Sequence, residues 1–162
     1  MPEISTRTTH FDPNSVAEIS ETLRHLLADV FALFVKTKSF HWHIGGREFR
    51  GDHRLLDDQA SEVFGMLDLL AERSRKIGGA AIRSIGDIAR NQRLQDSDAS
   101  DLSAVDMMRE LLEDNRQLTT FLRSAREVCD RHHDLATASL IENWIDQSEG
   151  RVWFLDETTR CR

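Results

Sequence analysis

Proline is almost missing from this 162-residue chain: only Pro2 and Pro13 occur, so nothing after residue 13 interrupts a helix by that route. Cysteine is as scarce. Cys129 and Cys161 do not amount to a disulfide framework, and a reducing cytoplasm with two unpaired thiols is the expected setting. No apolar run approaches the roughly 20 residues that a membrane span needs. The opening residues, MPEISTRTTHFDP, are too polar for a secretory signal. A basic surplus is also lacking. The net charge is −7, which disfavours nucleic-acid phosphates and favours cations, including metal ions. No internal repeat, low-complexity tract or alternating strand pattern stands out.

What is present reads as one helical domain. Apolar residues make up 40% and charged residues 30% of the chain, as in a globular domain with a core of its own. A first helix is expected from Ser15, with Glu18 completing a capping box, and its apolar face runs Val16, Ile19, Leu23, Leu26, Leu27, Val30, Phe34. It should end at His41 to His43, before Gly45 and Gly46. A second helix spans about Glu48 to Lys76 and stops at Gly78 and Gly79. The stretch AAIRSIGDIARNQ suggests one short helix inside a long connection. Ser103 then caps a third long helix, DRHHD forms a loop, and Asp134 caps a fourth. Trp144 and Trp153 read as core or interface aromatics. The expected fold is all-α: a ferritin-like four-helix bundle with a short extra helix in the connection between its second and third members. Residues 1–13 are expected as a flexible N-terminal tail, 14–159 as the bundle and 160–162 as a short C-terminal tail.

The second helix carries an unusual pattern in HRLLDDQASEVFGMLDLLAE, residues 53–72. At about 100° and 1.5 Å per residue, His53, Asp57, Asp68 and Glu72 share one stripe. Yet Asp57 and Asp68 stand about 16 Å apart along the axis, far beyond the roughly 2 Å of a metal–ligand bond. A two-fold axis resolves the conflict. Packed antiparallel on its own copy, this helix brings His53 opposite Glu72 and Asp57 opposite Asp68, and both pairs of residue numbers sum to 125. One register therefore builds two identical shared sites across an isologous interface, with Gly65 near its centre. The plainer alternative is a solvated face, on which charges spaced four apart are common.

The longer stretch TKSFHWHIGGREFRGDHRLLDDQASEVFGMLDLLAERSRKIGG, residues 37–79, closely resembles the signature of the Dps family, the mini-ferritins that protect DNA in starved bacteria. The matching pieces are His41-Trp42, Gly46, Phe49, His53 with Asp57, Asp68 through Glu72-Arg73, and Gly78-Gly79; VWFLDE near the end also resembles the family's last helix. The resemblance implies a shell of twelve subunits with a ferroxidase site across each two-fold. It implies His41, His53 and Asp57 from one subunit and Asp68 and Glu72 from its partner. It implies oxidation of Fe(II), preferably by hydrogen peroxide rather than oxygen, with ferric mineral stored inside the shell. Zinc or manganese are alternative occupants, because imidazole and carboxylate ligands suit all three metals. Trp42 is expected to pack beside the site or to scavenge a radical.

Several positions depart from the family pattern. His43 stands where Asn is usual, as a spare ligand or an innocuous helix-end residue. Arg54 replaces a cavity-facing acid, leaving Glu62 or Asp58 for mineral nucleation. Ser139 replaces an acid of the iron-entry pore, with Glu142 as a substitute. His132 and His133 are expected to face solvent. No Glu is followed three residues later by His, which argues against a di-iron site inside one chain. The first 13 residues hold no Lys and only Arg7, so direct DNA binding, with nucleoid association, is the second reading: a DNA-compacting shell whose metal site is secondary.

Overall fold

The computed structural model describes residues 9–160, and these contain five helices and no strand. Helix α1 runs Pro13–His43, α2 Phe49–Lys76, α3 Ile85–Asn91, α4 Ala104–Arg131 and α5 Leu135–Thr159. The four long helices form the bundle: α1 packs along α2 and α4, α4 along α5, and α2 meets α5. The short α3 lies against α1 within the long crossover, where the sequence suggests it.

The helix ends follow local chemistry, with two corrections to the sequence reading. Helix α1 is capped by Asp12, not Ser15. The Asp12 carboxylate accepts the backbone N–H groups of Asn14 and Ser15 at 2.9 and 3.1 Å and the Ser15 hydroxyl at 2.6 Å. Pro13 takes the first helical position, where a missing N–H costs nothing. Glu18 completes no capping box and instead turns to Arg131 and His132. Of the expected N-terminal tail, residues 1–8 lie outside the described residues, as do 161 and 162, with Cys161. Phe11 is buried in the core. The second correction concerns DRHHD. Helix α4 continues through Arg131, so the turn starts at His132, and His133 adopts a positive φ of 54°. His132 does not face solvent: its side chain is 12% exposed, with Nε2 2.5 Å from Glu18.

The remaining ends match. Ser103 Oγ accepts the Asp106 N–H at 3.1 Å and Asp134 that of Thr137 at 3.1 Å. Gly78 closes α2 with φ of 98°, a conformation that favours glycine. Gly79 lets the chain press against α1, since a Cβ there would stand 1.9 Å from Ser20 Oγ.

The core is aliphatic, with Leu26, Val30, Leu56, Leu70, Leu111, Leu118, Leu122 and Ile141 fully buried. Removing each from water stabilises the fold by roughly 1.5–3 kcal/mol. Trp144 belongs to this core, whereas Trp153 is 62% exposed and does not. Three polar ties cross the core. Lys36 donates to Asp114 at 2.7 Å between α1 and α4. Arg151 of α5 donates to Asn115 of α4 at 2.7 Å and to Glu62 of α2 at 2.5 Å. Asp29, fully buried on α1, accepts the backbone N–H groups of Arg93 and Leu94 and the Arg93 guanidinium. It thereby fastens the crossover after α3 to the bundle. No helix among the described residues is long and apolar enough to cross a membrane.

Candidate metal centre

The turn at 44–48 folds the last residues of α1 back on the first residues of α2, and Gly46 supplies a φ of 105° within it. This places His41 beside His53. Their rings stack with centroids 3.7 Å apart. Each holds the other: His41 Nδ1 lies 2.8 Å from the His53 carbonyl oxygen, and His53 Nδ1 lies 2.9 Å from the His41 carbonyl oxygen. A carbonyl oxygen only accepts, so both Nδ1 atoms carry the proton and donate. In the neutral ring Nε2 then carries the lone pair, which is the arrangement of a metal-ligating imidazole oriented by a backbone carbonyl.

Asp57, one turn beyond His53, supplies the carboxylate. Its Oδ1 is 3.9 Å from His41 Nε2. The same oxygen accepts Lys38 Nζ at 2.8 Å. The Lys38 ammonium holds the Asp57 carboxyl below the usual carboxylate range, although desolvation works the other way. Asp68 and Glu72 lie farther along α2, both exposed. Glu72 pairs with Lys76 at 3.1 Å. The structure therefore brings His41, His53 and Asp57 together at one end of the α1–α2 pair and leaves Asp68 and Glu72 on the same helix but apart. Among the described residues, no cluster of three or more His, Cys, Asp or Glu is arranged to hold a metal ion within one chain.

Between the two half-sites one large apolar side chain is exposed. Phe64, on the stripe of His53 and Asp68, is 58% exposed and touches Phe34 of α1, with ring centroids 5.2 Å apart. Val35 and Trp42, two turns apart on α1, are 59% and 66% exposed. Trp42 thus projects outward rather than packing within the chain.

The doubtful positions resolve less favourably. His43 is exposed, and its Nδ1 bonds the Ser39 carbonyl at 2.7 Å, which is helix-end chemistry. Glu62 is engaged by Arg151, and Asp58 lies 4.0 Å from Arg54. Ser139 is exposed on α5, and Glu142 is bound by Arg126 at 2.7 Å.

A profile of the ferritin-like domain matches residues 20–160. A DNA protection during starvation protein of Deinococcus radiodurans is 29% identical over 85% of the chain, which spans 66% of that relative. An uncharacterized low temperature-induced protein of Nostoc is 30% identical over 96% of the chain and 86% of its own length. The structure of Dps from Thermosynechococcus elongatus superposes with a TM-score of 0.86 over 90% of this chain and 92% of that one, at 27% identity. The chain belongs to the Dps proteins of the ferritin-like family.

In this Dps protein, sequence reasoning missed two residues of the site region. Lys38 precedes His41 by three positions and so shares its face of α1; that spacing was the available signal. Phe64 falls between Asp57 and Asp68 on the same stripe, and an apolar residue inside a polar stripe was the available signal.

Proposed function

We propose that this protein oxidises Fe(II), preferably with hydrogen peroxide, at sites shared between two copies of the chain, and stores the ferric product inside a shell of twelve. The observation that carries the reading is the split constellation. His41 presents its Nε2 3.9 Å from Asp57, with the His53 ring stacked on it and held by its own Nδ1, while Asp68 and Glu72 occupy the positions that a two-fold register would set opposite them. The exposed Phe64 lies between the halves, where such an interface requires apolar contact.

Iron enters here as substrate. Imidazole nitrogen and carboxylate oxygen suit Fe(II), and the hard carboxylates favour the ferric product. Two Fe(II) ions each give one electron to one hydrogen peroxide, whose O–O bond breaks to leave two oxygens at the level of water. Taking both electrons at a protein site avoids the one-electron path that releases hydroxyl radical. The residues' part is to bind and orient: Nδ1–H of each His stays on a carbonyl, so neither ring swings from the site. Zinc or manganese would find the same donors. Protection of DNA, the activity in the names of several relatives, then follows from removing iron and peroxide together.

A DNA-compacting shell is the second reading, and those names favour it. The charges weigh against it. Arg116, Arg123, Arg126, Arg131 and Arg160, on or beside α4 and α5, each pair with a carboxylate, so their charge is spent within the chain.

The deciding experiment adds Fe(II) anaerobically, then hydrogen peroxide, and follows ferric absorbance in the native protein and in an Asp68→Ala, Glu72→Ala variant checked for assembly. Fast oxidation lost in the variant supports the shared site. Equal, slow oxidation in both removes it, and gel retardation of DNA at low salt then tests the second reading.

A further inference from the structure

The chain contains 18 arginines but only three lysines: Lys36, Lys38 and Lys76. All three are ion-paired. Lys36 holds the core carboxylate Asp114. The other two sit on carboxylates of the proposed metal site, Lys38 on Asp57 at 2.8 Å and Lys76 on Glu72 at 3.1 Å. Elsewhere on the surface, among the described residues, the ion pairs use arginine or histidine.

The distinction is chemical. A guanidinium is a rigid fork that grips a carboxylate through two N–H groups. An ammonium is a compact charge on a flexible stem, bonding from one point. It neutralises a carboxylate yet leaves easily when a stronger cation arrives. The geometry at Asp57 places the two in direct competition: Oδ1, which accepts Lys38, is also the oxygen facing His41 Nε2. A metal ion bridging that imidazole and that oxygen would take over the lone pairs that Lys38 now uses. A shared site without metal would gather three carboxylates, Asp57 with Asp68 and Glu72 of the other copy, and like charges in one place are costly.

We propose that Lys38, seconded by Lys76 on the other half, is an exchangeable internal counter-ion of the metal site. It neutralises the ligand carboxylate while the site is empty and swings out when a divalent cation binds. The pair on Lys76 joins exposed residues one turn apart, so the argument rests on Lys38. The inference builds on the shared-site reading, and it assigns Lys38 a positioning role rather than a part in the chemistry.

The test is a titration of the metal-free assembled protein with Co2+, read by calorimetry and by visible absorbance, which needs no iron turnover. In Lys38→Arg the fork should grip Asp57 and weaken Co2+ binding at least tenfold. In Lys38→Met binding should be at least as tight as in the native protein, and the metal-free protein should melt lower, with the loss restored by Co2+. Native-like affinity in Lys38→Arg, or weaker binding in Lys38→Met, overturns the proposal. An Asp68→Asn, Glu72→Gln variant separates the two readings. Native-like Co2+ affinity there removes the shared site, while the Lys38 variants still decide the exchange at His41, His53 and Asp57.

Discussion

His41 and His53 lock one another: each imidazole donates its Nδ1 proton to the other's backbone carbonyl, at 2.8 and 2.9 Å, across rings stacked 3.7 Å apart. Neither ring can be changed alone. A His53→Phe variant keeps an aromatic ring for stacking but removes one Nε2 and leaves the His41 carbonyl without its donor. The lost hydrogen bond should lower stability by about 1–2 kcal/mol. Metal affinity should fall by more than the roughly 10- to 100-fold that losing an orienting partner costs, since His53 supplies a ligand nitrogen as well as holding His41. Thermal melting and Co2+ titration read the two effects separately, and a variant that loses neither would show the pairing to be incidental.

Phe64 tests the two-fold register. It lies on the stripe between the two half-sites, and in a register where facing residue numbers sum to 125 it meets Ser61 of the second copy. Phe64→Asp would set two new carboxylates near the axis. Sedimentation should show a dimer or shell that falls apart at protein concentrations at least 100-fold higher than the native one does. Intact assembly in this variant would place the interface elsewhere.

The Lys36–Asp114 pair should behave as a buried ion pair. Lys36→Met strands a carboxylate in the core and should cost about 3–5 kcal/mol at neutral pH. Burial already holds the Asp114 carboxyl above its usual range even with Lys36 present, and without it the shift should grow. A raised folded-state value means that stability is lost as pH rises through it. The deficit of Lys36→Met should therefore shrink as pH falls and the carboxyl takes up its proton. Chemical denaturation at pH 4 and pH 8 measures this, and Lys36→Met, Asp114→Leu should recover most of the loss.

Glu18 predicts the opposite slope. Hydrogen bonds from His132 and Arg131 hold its carboxyl below the usual range. A lowered value gives a contribution that is present above the ordinary carboxylate range and lost as pH falls through the folded value. Glu18→Gln should lower the melting temperature at pH 7–8 and converge on the native value in acid, so that the acid side of its profile is flatter. An unchanged acid limb would show that the tie between α1 and the end of α4 carries no weight.

Cys129 is buried, and burial pushes its thiol up to about 12. The thiolate, which is the reactive form, is then scarce at pH 8. Iodoacetamide should leave the Cys129 peptide unmodified in the folded protein and label it fully in denaturant. Rapid labelling of the folded protein would mean that the α4–α5 end opens readily.

The caps show how far local reading reaches. Ser103 and Asp134 were legible as caps because a side-chain oxygen satisfies N–H groups only two or three residues away. Asp12 obeys the same rule, yet Ser15 with Glu18 formed an equally good local pattern. The competition was settled 113 residues away, where Arg131 draws Glu18 off. His132 was misread as exposed for the same reason, since its partner Glu18 belongs to another helix.

By itself the sequence determined the four amphipathic helices, the short α3 in the crossover and the common stripe of His53, Asp57, Asp68 and Glu72. Each follows from helical periodicity, which is a property of neighbours in the chain. Only the tertiary structure decided the rest: that α1 returns on α2 closely enough for His41 and His53 to fix each other's protons, that Lys38 sits on Asp57, and that Phe64 stands bare between the half-sites. Those relations depend on contacts between helices, hydrogen bonds of 2.8–2.9 Å and rings 3.7 Å apart, and periodicity along one helix does not encode what the next one brings to it.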